Sequence, residues 1–211
     1  MPKLGVIALA LVASSSLMVA QQAQRPASPP GTAATQVGGK YVKTERGQRY
    51  EGGKWIEITY GRPILRGRTS VFGSGAEYGK ALNAGAPVWR AGADVSTRLK
   101  TEVPLEIGGK TVPPGEYSLF VELKNDKEWT LIVSNWAAQQ KYDPKDKTAL
   151  WGAYEYTPEK DVVRVPMKVE SLPFTLDQLT WGFTDVGAQG GTIRLWWEKA
   201  QASVPFKVAT S

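Results

Sequence analysis

From Lys54 to the C-terminus, apolar and polar residues alternate with a period of two, the pattern of strands that set one face against a core. Ile56, Ile58 and Tyr60 fall on one face of a strand over 54–60. Leu99, Thr101, Val103, Leu105 and Ile107 share a face across 95–107, and Gly108-Gly109 behind them is a two-residue hairpin signal. Pro113-Pro114-Gly115 marks a second turn, and Tyr117, Leu119, Val121 and Leu123 carry the alternation to a third at Asn125-Asp126. Trp129, Leu131 and Val133 form the returning strand, and Val163, Val165, Met167 and Val169 form another. Leu179, Trp181 and Phe183 follow, then Ile193, Leu195 and Trp197 beyond a Gly190-Gly191 turn, with Ser203 to Val208 closing the chain. Trp196 and Trp197 are neighbours, so their rings point to opposite faces of their strand, one into the core.

Helical spacing has room in two places only. Glu77 to Leu82 is short and broken by Gly79, and Leu172 to Leu179 has space for one turn. The expectation is an all-β, single-domain antiparallel β-sandwich of jelly-roll type with about eight or nine strands and little helix, a barrel being the alternative.

The ends differ from this body. Met1 to Ala20 has a positive start at Lys3, an apolar run from Leu4 to Val12 and small residues toward Ala20. That is the layout of a secretory signal, too short and too serine-rich for a comfortable membrane span. Export to the periplasm or the extracellular space is therefore expected, with no transmembrane segment left after cleavage. Residues 21–30, rich in Gln, Ala, Pro and Ser, read as a flexible spacer, and 31–211 as one β domain.

Composition then removes chemistries. The 211 residues include no cysteine and no histidine, so disulfides, Cys/His zinc sites, Ser-His-Asp triads and histidine bases are all excluded. The net charge is +6. On an exported chain this points toward anionic polymers or plain solubility, and not toward nucleic acid. Neither a metal nor a cofactor is expected. Asp143 and Asp146 offer two carboxylates, without the glycine and terminal glutamate of a calcium loop.

Two groups of side chains carry binding chemistry. Arg62, Arg66 and Arg68 follow the first strand in a Gly/Pro-punctuated loop, and Arg90 and Asp94 occupy a second loop. Arginine forks suit carboxylate, phosphate or sulfate, and Tyr60 and Trp89 could add flat faces for a sugar ring. The competing reading has Arg90 paired with Asp94 and the arginines tying loop carbonyls together. The second group is aromatic: Trp136, Tyr142, Trp151, Tyr154 and Tyr156 bracket a lysine-bearing loop from about Ala137 to Gly152. Aromatics on exposed loops can hold glycans, although most tryptophans of a β protein are core.

The ordered series Ile58-Thr59-Tyr60-Gly61-Arg62-Pro63, Arg66-Gly67-Arg68, Val71-Phe72-Gly73 and Val88-Trp89-Arg90-Ala91-Gly92-Ala93-Asp94 is distinctive. Pro114-Gly115-Glu116-Tyr117-Ser118-Leu119, Trp129-Thr130-Leu131-Ile132 and Asp161-Val162-Val163-Arg164-Val165 continue it. Together they resemble the bacterial exported family labelled domain of unknown function 2911, over roughly residues 28–208. Asp94 stands where the family pattern has Glu, Ala93 where it has Asn, and Tyr41 to Gly53 looks like a charged insertion in the first hairpin. The resemblance implies export and one domain, and it implies no reaction.

The function expected from the residues is a non-enzymatic binder of an anionic or carbohydrate ligand, at Tyr60, Arg62, Arg66, Arg68, Trp89, Arg90 and Asp94. A glycan hydrolase or lyase using two carboxylates is one alternative. An envelope structural protein with an unidentified protein partner is the other.

Overall fold

The computed structural model describes residues 26–209. The expected signal and the first part of the spacer lie outside the described residues. Among the described residues thirteen strands run in chain order: β1 (Pro30–Val37), β2 (Lys40–Thr44), β3 (Gly47–Glu51), β4 (Lys54–Gly61), β5 (Thr97–Thr101), β6 (Leu105–Ile107) and β7 (Lys110–Val112) come first. Then follow β8 (Gly115–Leu123), β9 (Trp129–Ser134), β10 (Ala137–Ala138), β11 (Ala149–Leu150), β12 (Asp161–Gly187) and β13 (Gly190–Val208).

Nine strands form one antiparallel sheet in the order β1-β4-β5-β8-β9-β12-β13-β6-β7, with β2-β3 and β10-β11 as separate pairs. The terminal strands β1 and β7 do not pair with each other, so the sheet is open, and it folds over as a sandwich in place of a barrel. Folding over is the work of the long β12–β13 hairpin. Its register breaks between Ser171 and Leu176, opposite Glu198, which takes the left-handed conformation at φ 54°. The far end of the hairpin thereby returns onto the C-terminal strand, where Val208 N–H bonds Gln189 C=O at 2.8 Å.

Two expected elements differ. The segment 172–179 is bulged strand and not a helical turn, since Pro173 lacks an N–H and Leu179 N–H bonds Pro63 C=O at 3.0 Å. The segment 95–107 is two strands in different parts of the sheet. Thr101 Oγ1 bonds both the C=O (2.7 Å) and the N–H (3.2 Å) of Val103, and Pro104 cannot donate to a ladder. Between Gly187 and Gly190 the connecting residues are Ala188 and Gln189, so the glycines flank that turn.

With no disulfide, aromatic packing joins the layers. Trp89, Trp129, Trp181 and Trp197 are fully buried. Phe72 sits among them, 4.9 Å from Trp129 and 6.0 Å from Trp89 between ring centroids. Trp197 is core and Trp196 bonds Gln201 on the other face at 2.7 Å, so the adjacent rings do part.

Strands β8 and β9 are buried on both faces. Leu119, Val121, Leu131 and Val133 enter the main core, while Phe120 and Ile132 point the other way. Val88, Leu150, Ala153 and Tyr156 cover that outer pair as a second, smaller core. The chain between β9 and β12 is therefore held down as a cap on the sheet, and this cap carries the site.

Candidate functional site

The cap starts with a short parallel pair, in which Ala137 faces Ala149 and Ala138 faces Leu150. The intervening turn is fixed from inside. Buried Gln139 donates through Nε2 to the C=O of Asp143 and of Asp146, each at 3.1 Å. Asp143 Oδ1 accepts from Lys145 N–H at 2.9 Å. Asp146 Oδ1 accepts from the N–H (2.8 Å) and hydroxyl (2.7 Å) of Thr148, and those bonds lower its pKa. The exit is anchored by the Tyr156 hydroxyl, which donates to Asp161 and accepts from Arg164 Nη1 at 2.9 Å. Burial first, and the Asp161 carboxylate second, push the Tyr156 phenol above its ordinary range.

On this frame three aromatic rings pack in succession, Tyr142 tilted by 57° to Trp151 and Trp151 stacked on Tyr154. Trp151 is in the middle, its centroid 4.9 Å from Tyr142 and 5.8 Å from Tyr154, with the Trp151 and Tyr154 planes within 5° of parallel. The two outer rings are open to solvent, Tyr142 at 64% and Tyr154 at 42% exposure. Together they line a cleft of about 430 Å³ whose polar rim includes Asp143, Lys147 and Glu155. Lys147 Nζ pairs with Glu155 Oε1 at 2.8 Å, and that partner raises the lysine's pKa. The volume falls in the range of small-ligand sites, and a largely apolar lining with a few fixed polar groups suits a ring with hydroxyls at its edge.

The structure distributes the seven residues singled out in sequence. Trp89 is core, its N–H and C=O paired with Val121 at 2.9 and 2.8 Å. Tyr60 is buried, its hydroxyl accepting from Trp181 N–H at 3.0 Å. Arg62 reaches Leu179 C=O and the Thr180 hydroxyl, both at 3.4 Å. Arg66 donates to Ala27 C=O at 3.1 Å, and Arg68 to the C=O of Leu65 (3.0 Å) and Ile64 (2.8 Å). The two loops do meet: Ala93 N–H bonds Gly61 C=O at 3.2 Å, and a Cβ on Gly61 would stand 2.1 Å from Ala93 O. The expected Arg90–Asp94 pair does not form. Asp94 is exposed at φ 65°, and Arg90 turns away from it toward the cap, its guanidinium carbon 5.9 Å from the Trp151 ring centre.

Arg90 is thus the one member of the loop set that touches the aromatic cleft. Tyr142, Trp151 and Tyr154 were visible in sequence as aromatics around an exposed loop, but their spacing of nine and three residues says nothing about adjacency until the cap is closed. Asp143 and Asp146 spend carboxylate oxygens on turn N–H groups. Among the described residues no group of three or more Asp, Glu, His or Cys could hold a metal ion. Nor, among them, is any helix long and apolar enough to cross a membrane.

A family model described as Protein of unknown function (DUF2911) matches residues 43–206, which contain the cap, both loops and all strands from β3 to β12. Comparison with curated proteins finds no match. Comparison with solved structures also finds none.

Proposed function

Because the chain belongs to the family of unknown function DUF2911, whose label names no reaction, we propose a role from the cap itself: an exported, non-enzymatic β-sandwich that binds a glycan in the Tyr142–Trp151–Tyr154 cleft. The observation that carries this reading is the contiguous row of three rings, with the outer two exposed on a rigid frame. Rigid aromatic faces desolvate the apolar faces of a sugar at little entropic cost. Asp143 and the Lys147–Glu155 pair supply acceptors and donors at the rim, as sugar hydroxyls require.

The charges favour a neutral glycan over an anionic one. Asp143, Asp146 and Glu155 line the cleft beside Lys147, so an anion would meet more carboxylates than ammonium groups. The same carboxylates argue for binding over hydrolysis. A glycosidase acid must hold its proton near neutral pH, whereas the Thr148 bonds lower the pKa of Asp146. Export rests on the N-terminal apolar segment.

The test is a neutral-oligosaccharide array probed with the protein and with its Tyr154→Ala variant. The reading expects at least one class of sugar to be retained by the protein and lost by the variant. An array on which the protein binds nothing contradicts it.

A further inference from the structure

A second cleft, of about 370 Å³, is lined in part by Ala138, Gln139 and Gln140, and Gln139 lines the aromatic cleft as well. Its floor is the outer face of the sheet. There Thr32 of β1 faces Thr59 of β4, Thr59 faces Arg98 of β5, and Arg98 faces Ser118 of β8. Val95, 41% exposed, stands at its edge as an apolar wall, presented by the left-handed turn at Asp94.

Arg98 is the notable group. It is only 17% exposed, and three bonds hold it still: Nε to Glu116 Oε1 at 3.1 Å, and Nη1 to Ser118 Oγ (2.5 Å) and Trp136 C=O (3.0 Å). Nη2 makes no hydrogen bond among the described residues and is not one of the buried unpartnered atoms, so this edge of a cleft-lining residue keeps access to solvent. A donor edge fixed in place, with no rotamer freedom left to lose, is preorganised for a ligand oxygen. Beside it stand the Glu116 carboxylate, the Thr32 and Thr59 hydroxyls, and the Gln140 amide. Arg98 and Glu116 cancel in charge, and the set offers donors and acceptors in alternation, which fits hydroxyl groups better than an anion.

We propose that this cleft is a second sugar subsite, so that the chain binds a linear neutral oligosaccharide lying across the Ala138–Gln140 segment from the aromatic cleft to Arg98. The inference rests on the glycan reading and adds that recognition depends on length. One end of the ligand packs on Tyr142 and Tyr154, and the other is read by Arg98 through hydrogen bonds.

The experiment takes neutral oligomers of glucose, mannose, xylose and N-acetylglucosamine, in two- and six-unit forms, and titrates each into the protein calorimetrically. Val95→Arg fills the second cleft from an exposed position without removing a packed group, and Arg98→Met removes the donor edge. The expected result is a hexamer bound about tenfold or more tighter than the dimer, with both variants reducing hexamer affinity to the dimer's value. Dimer affinity should be unchanged in both. Equal affinities for dimer and hexamer, or hexamer affinity unaltered in folded Val95→Arg, overturns the second subsite and leaves the aromatic cleft standing. Failure of every oligomer to bind overturns both readings. A glucuronate hexamer titrated beside them and bound more tightly than every neutral hexamer overturns the neutral ligand.

Discussion

The guanidinium carbon of Arg90 lies 5.9 Å from the centre of the Trp151 ring, and this contact joins the loop before β5 to the aromatic cap. A cation over an indole face contributes about 0.5–2 kcal/mol, more as water is excluded. Buried Arg90 Nε has no hydrogen-bond partner among the described residues, so the residue is held there by the ring and by packing. Arg90→Ala is expected to lower the melting temperature by a few degrees, about 2–4 °C per kcal/mol for this size. It should also weaken glycan binding by releasing Trp151. Differential scanning calorimetry beside calorimetric titration checks both, and unchanged affinity would show that Arg90 has no part in shaping the cleft.

Gly152 has φ 70°, and a Cβ there would stand 2.8 Å from Arg90 Nη1. The backbone conformation favours glycine, and a Cβ would push the Arg90 guanidinium from its place by Trp151. Gly152→Ala is expected to destabilise the protein by about 1–3 kcal/mol, read as a lower urea midpoint. An unshifted midpoint would mean that the Arg90–Trp151 contact is not packed as described.

Asp161 is the anchor at the exit of the cap. Its side chain is 6% exposed, and Arg164 Nη1 lies 3.0 Å from its Oδ2 while Nη2 bonds Glu122 at 2.9 Å. Arg164→Met leaves the Tyr156 hydroxyl as the partner of that carboxylate, a loss on the order of 2 kcal/mol. Hydrogen exchange should show the 137–157 segment opening faster while β4 and β5 stay protected. Uniform loosening of the whole chain would count against a separately held cap.

Stability against pH should be asymmetric. Burial raises the pKa of Tyr78 to about 12, burial also raises Tyr117, and Tyr156 is raised by burial and by Asp161. A raised folded pKa means that the folded state keeps its phenol protons where the unfolded chain, near pH 10, has begun to lose them. The stabilisation is complete below about pH 10 and is lost as pH rises through the folded values. With no histidine to titrate, the unfolding free energy should be nearly level from about pH 6 to 8.5. It should then fall steeply above about pH 10, as urea melts at pH 7, 9 and 11 would show. A steep change between pH 6 and 8 would contradict this.

The strands with one apolar face were legible because burial acts on alternate residues. Tyr117, Leu119, Val121 and Leu123 are all buried, as are Trp129, Leu131 and Val133. Strand β1 leaves no signal in the alternation, and its first residue, Pro30, falls within the expected spacer. An edge strand of small and polar residues buries little and leaves no alternation to read. The jump between sheet positions at Glu102–Pro104 was hidden for the opposite reason. Leu99, Thr101, Leu105 and Ile107 all end in the core, so the pattern runs unbroken through a change of partner strands. The arginines were conspicuous by type, but four bonds from Arg66 and Arg68 and from Arg62 to backbone carbonyls are a matter of tertiary distance. The cap aromatics could be named, and their adjacency could not.

The most direct measurement is calorimetric titration of the protein and its Tyr142→Ala/Tyr154→Ala double variant with the neutral oligosaccharide that binds best on the array. Both rings are exposed, so their removal should leave the melting temperature within about 1 °C, as surface substitutions usually do. The account predicts affinity lost by tenfold or more, about 1.4 kcal/mol or above, in a variant that stays folded. A folded double variant that binds as well as the parent would contradict the claim that this cleft is the binding site.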